Sequence, residues 1–220
     1  MKVIAFDLSS VCIGCCIAEL KDDKTVRIFS TPIIPKHDTN IISSLGFLKS
    51  KHRIKDKNYI SYVKYSGELV SEKEKKKRDV MVREAMNKSV LNDISKQLSE
   101  VITTIKPDLI IMEKHAIFNG ILTSVLLAKI AGILIGVAGD NNIETREYPV
   151  KEVRSILDIN KITGEYISNK TPDDLLKVPD ITKDAIREYF EKIYGVSFQT
   201  CDESDACAVF HYWYKTKNGA

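Results

Sequence analysis

The sequence predicts an α/β fold: a mixed five-stranded sheet, made of an antiparallel meander continued by parallel strands, flanked by helices. Three observations predict it. Apolar runs at residues 2–8, 12–20 and 25–34 follow one another across short turns, which suits antiparallel neighbours. A long helical repeat then leads into the apolar run at 108–113, and a second helical stretch leads into residues 143–148. Strands reached through a helix fit the parallel part of a mixed sheet.

The elements follow in order. Val3, Ile4, Ala5 and Phe6 form an unbroken apolar run, the pattern of a strand buried on both faces. The second strand runs from Gly14 through Cys15, Cys16, Ile17 and Ala18, and Lys21-Asp22-Asp23-Lys24 makes a polar turn. Pro32 and Pro35 stop the third strand, and residues 36–76 show no clear period. Val82, Met86, Val90, Ile94, Leu98 and Val101 recur at helical spacing, so residues 79–105 read as a helix ended by Lys106-Pro107. Residues 114–120 read as a loop. Residues 121–139 read as a helix apolar nearly all round, either sandwiched in the core or part of a subunit interface. A short helix at 149–157 and a polar, loop-like stretch at 158–179 follow. Asp180 or Thr182 caps a helix over 181–194 and Gly195 stops it, before a last helix that opens near Cys201.

The 220 residues, 44% of them hydrophobic, suit one domain with a basic insertion at about 36–78. A net charge of +3 excludes a polycation. The opening residues read as no signal peptide, and the 121–138 run, broken by Lys129, reads as a buried helix rather than a membrane span. The five cysteines are an odd number, and four lie in apolar runs. They read as free buried thiols of an intracellular, reducing compartment, the host cytoplasm or nucleoid if the protein is viral. Cys12-x-x-Cys15 has no second pair, which argues against a zinc site.

Carboxylates end two of the apolar runs. Asp7 follows Phe6, and Glu113 follows Met112. Asp is depleted in strands, and an unpaired buried carboxylate costs several kcal/mol. Asp7 is therefore paired with a cation, or sits at an exposed strand end as a plain turn residue. Asp202 and Asp205 open the last helix three residues apart, on one face, with Glu203 pointing away. Acids at a helix start also serve as caps. Between Lys49 and Lys88 there are thirteen Lys or Arg against six Asp or Glu, densest at Lys75, Lys76, Lys77 and Arg78. That run reads as a solvated helix face or as a phosphate-contacting arm, with Tyr59, Tyr62 and Tyr65 interleaved.

Taken together, Ile4-Ala-Phe-Asp7-Leu-Ser, Leu109-Ile-Ile-Met-Glu113, the helix 124–132, Glu147-Tyr-Pro-Val-Lys-Glu-Val153 and Asp202-Glu-Ser-Asp205-Ala206 resemble the ribonuclease H-like nucleases. Within them the chain resembles the RuvC-like Holliday junction resolvases of viral or bacteriophage type. The resemblance covers most of the chain outside 36–78. It implies a structure-selective endonuclease that resolves four-way DNA junctions by metal-dependent phosphodiester hydrolysis. Two divalent ions can position water and offset developing charge, and Mg²⁺ prefers oxygen ligands. The implied ligands are Asp7, bridging, with Glu113, Asp202 and Asp205; Mn²⁺ is expected to substitute. Four acids brought together should carry raised pKa values. The resemblance also implies a homodimer, for which the helix at about 121–138 is the candidate interface. Lys183 fits the family's phosphate-side basic residue, with Lys151 and Arg154 as further candidates. Phe118 lies in the loop where the family can place a junction wedge, a role it shares with a plain core reading. The basic run Lys75–Arg78 becomes a candidate DNA contact, and His115 lies near Glu113 as a surface loop residue or a phosphate contact.

Two other classes compete. A ribonuclease H-like nuclease for other branched DNA or RNA–DNA hybrid would share the four acids. A non-catalytic DNA-binding member of the fold would gain by losing like charges near phosphate. An actin-like ATPase is disfavoured: Ser9–Gly14 holds one glycine, and 220 residues do not suffice for its duplicated domain.

Overall fold

The computed structural model describes residues 1–21, 26–36, 47–54, 57–65, 72–114 and 121–218, with the backbone alone over 47–83, 85–86 and 121–122 of these. In chain order the elements are β1 (Lys2–Asp7), β2 (Ile13–Leu20), β3 (Val26–Ile33), β4 (Phe47–Ile54), β5 (Lys57–Tyr65), α1 (Glu72–Ile105), β6 (Leu109–Lys114), α2 (Ile121–Asp140), β7 (Glu144–Pro149), α3 (Val150–Ser155), α4 (Ile159–Ser168), α5 (Pro172–Leu175), α6 (Ile181–Tyr194) and α7 (Cys201–Lys217). They fall into two compact units, Met1–Ile34 with Gln97–Ala220, and Pro35–Lys96.

The first unit holds the five-stranded sheet, in the order β3-β2-β1-β6-β7. β1 pairs antiparallel with β2, and β2 with β3, as the short turns require. β6 pairs parallel with β1 and with β7, each connection passing through a helix. Central β1 is buried on both faces: Val3, Ile4, Ala5 and Phe6 are fully covered. Val3 and Ala5 join Cys16, Ala18, Leu109 and Ile111 in one core with Phe190 of α6 and Cys207, Phe210 and Trp213 of α7. α7 lies across β1 and β2. Ile4, Phe6, Ile110 and Met112 face the other way and are equally buried, as are Leu98 and Ile102 of α1 and Ile130, Leu134 and Ala138 of α2.

In the second unit β4 and β5 form an antiparallel hairpin with a register shift between Ser50 and Lys51. The stretch without a readable period thus contains two strands. Two further expectations are corrected. The helix expected from residue 79 begins at Glu72, so the basic run Lys75–Arg78 lies in its first turns; the Lys-rich composition hid the start because no apolar repeat marks it. The stretch 158–179, expected as loop, folds into α4 and α5. Asp158 caps α4 by accepting from Lys161 N at 3.0 Å, and Thr171 caps α5, with Pro172 at a first-turn position where its missing N–H costs nothing. Ile162 supplies the only buried anchor of α4, too little for a visible hydrophobic period.

α2 also departs from expectation. Only its Ile130, Ala131, Leu134 and Ala138 are buried among the residues whose side chains are described, while Val125 and Ile135 are 46% and 44% exposed. It is not sandwiched in the core. Its apolar residues run all round the helix, so composition could not reveal that one face alone is covered. By length and composition Thr123–Asp140 would suffice to cross a membrane.

Candidate metal centre

The centre is assembled at the end of β1. Asp7 is the last residue of the strand and stands opposite Gly14 of β2. Alternation along the strand puts Asp7 on the face of Val3 and Ala5, the face that α7 covers. β6 runs parallel in the register Phe6 with Met112, so Glu113 falls one step on, beside Asp7 and on the same face.

The helix start must then come close. Thr200 caps α7 in a capping box: its Oγ1 accepts from Glu203 N at 3.3 Å, and its N–H donates to Glu203 Oε2 at 2.7 Å. This fixes the first turn, where Asp202 and Asp205 sit one above the other. Gly14 allows the approach. A Cβ there would overlap the Asp202 carbonyl group and lie 2.8 Å from Glu203 N. One carboxylate oxygen from each of Asp7, Asp202 and Asp205 consequently lies within 4.8 Å of the others.

The electrostatics match the geometry. Asp7 is pushed up to about 8, by burial first and then by Asp205, Glu113 and Asp202, against the opposing charge of Lys183. Glu113 is raised by burial and then by Asp205, while Arg154 and Lys183 pull it down. Asp205 is raised by burial although Lys183 opposes the shift, with Asp202 adding to it. Lys183 Nζ lies 3.3 Å from Asp205 Oδ2. Burial disfavours the Lys183 charge, but Asp205, Asp202 and Asp7 together hold its pKa above the usual value.

Four carboxylates offer hard oxygen donors, the set a Mg²⁺-like ion takes. The raised proton affinity of Asp7, Glu113 and Asp205 is that of a cluster short of positive charge. The residues present therefore fit a divalent metal centre. A stability effect follows. In the unfolded chain Asp7 ionises near 3.8, but in the fold only near 8. Its folded form thus binds the extra proton, and stability is lost as pH rises between those values, by about 1.4 kcal/mol per unit. His211, buried and pushed down to about 4, acts in the opposite sense, but its contribution is essentially complete once pH exceeds its ordinary 6.5. Between pH 6.5 and 8, without divalent ion, the melting temperature is expected to fall, and millimolar Mg²⁺ is expected to restore it. Scanning fluorimetry checks both; a flat profile that ignores Mg²⁺ contradicts the cluster's electrostatics.

Of the remaining sequence candidates, the structure brings Lys183 to the cluster and puts Arg154, on α3, within electrostatic reach of Glu113 and Asp205. Lys151 is exposed on the same helix. Phe118 and His115 lie outside the described residues, as do the side chains of Lys75, Lys76, Lys77 and Arg78. The four cysteines in apolar runs, Cys12, Cys15, Cys16 and Cys207, are buried, and none of the five forms a disulfide.

Sequence reasoning missed the residues that hold the acids in place. Gly14 is one; its signal is a lone glycine opposite a strand-end aspartate, visible only once the register is known. Glu203 is another; Thr200-x-x-Glu203 is a readable capping signature. Asp184 is the third. It is buried next to Lys183, pairs with Arg187 Nη2 at 2.9 Å and accepts from Cys201 Sγ at 3.9 Å.

In sequence the chain matches no family model and no curated protein. In structure it is similar to Thermus thermophilus RuvC in complex with a Holliday junction substrate, with a TM-score of 0.57 at 10% identity, covering 100% of this chain and 97% of that one. A second Thermus thermophilus RuvC structure gives a TM-score of 0.53 at 10% identity, with the same coverage. The chain has the ribonuclease H-like fold of RuvC: a five-stranded mixed sheet, not closed, flanked by helices.

Proposed function

We propose that the protein is a RuvC-like Holliday junction resolvase, an endonuclease that cuts four-way DNA junctions by Mg²⁺-dependent phosphodiester hydrolysis. The observation that carries this reading is the convergence of Asp7, Asp202 and Asp205 within 4.8 Å at the end of the central strand. The similarity to a RuvC solved with its Holliday junction substrate supports branched DNA as the partner.

In this reading Asp7, Glu113, Asp202 and Asp205 would hold two divalent ions, with Asp7 contributing to both. Bound ions supply charge neutralisation at the phosphate and a positioned water. The chain's own residues do the rest. The capping box and Gly14 fix the start of α7, and with it the backbone of Asp202 and Asp205, before substrate arrives, which limits reorganisation at the moment of reaction. Lys183 and Arg154 place positive charge on the rim of an otherwise acidic site, where a phosphate must approach. Lys151, the basic run Lys75–Arg78 and Phe118 are assigned to the DNA as well, the first five as phosphate contacts and Phe118 as a wedge.

Resolution needs two sites, so the active form is a homodimer. The uncovered apolar face of α2, with Val125 and Ile135 exposed, is the surface assigned to it. Light scattering of the purified chain checks this, a monomer at micromolar concentration counting against it.

The deciding experiment is cleavage of a labelled immobile junction with Mg²⁺, beside linear duplex and RNA–DNA hybrid of matched sequence. Paired symmetric nicks in the junction alone are expected. Preference for the hybrid would make the protein a different nuclease of the same fold, and tight junction binding without any cutting would make it a non-catalytic binder.

A further inference from the structure

We propose that Lys183 exchanges with the divalent ion: its ammonium holds Asp205 until an ion binds, and ion binding then turns it outward to the DNA phosphate. The inference rests on the metal-centre reading and adds an order of events, in which ion and DNA bind cooperatively through one side chain.

Three observations carry it. The ammonium sits against the ligand set, with Nζ 3.3 Å from Asp205 Oδ2. It also interacts with Asp202 and Asp7, the other two members of the close trio. The side chain is nevertheless 45% exposed, whereas Asp205 is 20% exposed. A long flexible stem that is half in solvent can rotate away without opening the core.

The backbone beneath that stem is held fast. Asp180 caps α6 by accepting from Lys183 N at 3.0 Å. The next residue, Asp184, is buried and tied to Arg187 at 2.9 Å. The helix therefore stays put and the side chain is the moving part. An ammonium and a divalent cation sharing one carboxylate trio repel each other, and the ion carries the greater charge. Lys183 thus weakens ion binding while it is seated, and an arriving ion frees it. A freed ammonium at the mouth of the site adds to phosphate affinity, so by linkage DNA that engages Lys183 also tightens ion binding.

The test compares wild type with Lys183→Met, which keeps the stem and removes the charge, and with Lys183→Arg, which keeps the charge. Calorimetric titration of the full chain with Mn²⁺, without DNA, is expected to show K183M binding about tenfold more tightly than wild type, and K183R close to wild type. Junction affinity is then measured with and without Ca²⁺. The gain on adding Ca²⁺ is expected to be severalfold larger for wild type than for K183M. Equal or weaker Mn²⁺ binding by K183M overturns the exchange, as does an equal Ca²⁺ gain in both proteins. Absence of Mn²⁺ binding by the wild type overturns the metal-centre reading itself, which separates the two failures. Should K183M not fold, Lys183→Gln serves in the same two measurements.

Discussion

Asp7→Asn is expected to lower Mg²⁺-dependent junction cleavage by roughly 10³-fold or more while leaving junction binding intact. Asp7 shares the close trio with Asp202 and Asp205 and stands beside Glu113, so its loss removes the ligand assigned to both ions. Metal-supplied stabilisation of several kcal/mol corresponds to a rate factor of about that size. Binding should persist or tighten, because a negative charge facing the phosphate is gone. A second readout needs no substrate. The Asp7 carboxyl, pushed up to about 8, is the group whose burial destabilises the metal-free protein near pH 8. The Asn variant is neutral there. Without divalent ion at pH 8 it is expected to melt above the wild type, and Mg²⁺ is expected to raise its melting point less. Retained metal-dependent cleavage in the variant would remove Asp7 from the proposed role.

Gly14→Ala is expected to be the most damaging added methyl group among the described glycines. A Cβ at that position overlaps the Asp202 carbonyl group, and the atoms it meets are backbone, which cannot swing aside. Forcing α7 outward strains a packed core at a cost of about 1–3 kcal/mol. It also carries Asp202 and Asp205 away from Asp7, so Mn²⁺ affinity should fall about tenfold or more along with stability. Gly164→Ala in α4 is the control: nothing lies within 4 Å of its would-be Cβ. In a helix that exchange gains up to about 1 kcal/mol. Chemical denaturation with parallel Mn²⁺ titration distinguishes the two. A Gly14→Ala protein as stable and as metal-competent as wild type would mean that α7 does not need its close approach to β2.

The strand core was legible because it obeys a local rule. Val3–Phe6 and Leu109–Met112 are unbroken apolar runs, and only a central strand buried on both faces requires that. The acids were legible for the converse reason: a carboxylate at the end of such a run needs an explanation that composition alone does not provide. α4 and α5 were not legible. Their caps are ordinary polar residues, and α4 presents Ile162 as its single buried anchor, so no hydrophobic period stands out. The surface exposure of α2 was hidden because every face of the helix is apolar, and no local pattern says which face another element covers.

By itself, then, the sequence determined the five strands of the main sheet and the principal helices, and it marked the four acids as candidates, since each depends on residues near one another in the chain. Tertiary structure alone decided how those acids meet. Asp7 and Glu113 come side by side through a parallel register, and Asp202 reaches them because β2 offers a glycine opposite Asp7. Lys183 enters the cluster from a separate helix, 22 residues from Asp205 in the chain. Register, close approach and the placing of a counter-charge are relations between distant segments. They are set by which faces bury together, and no local run of residues encodes that.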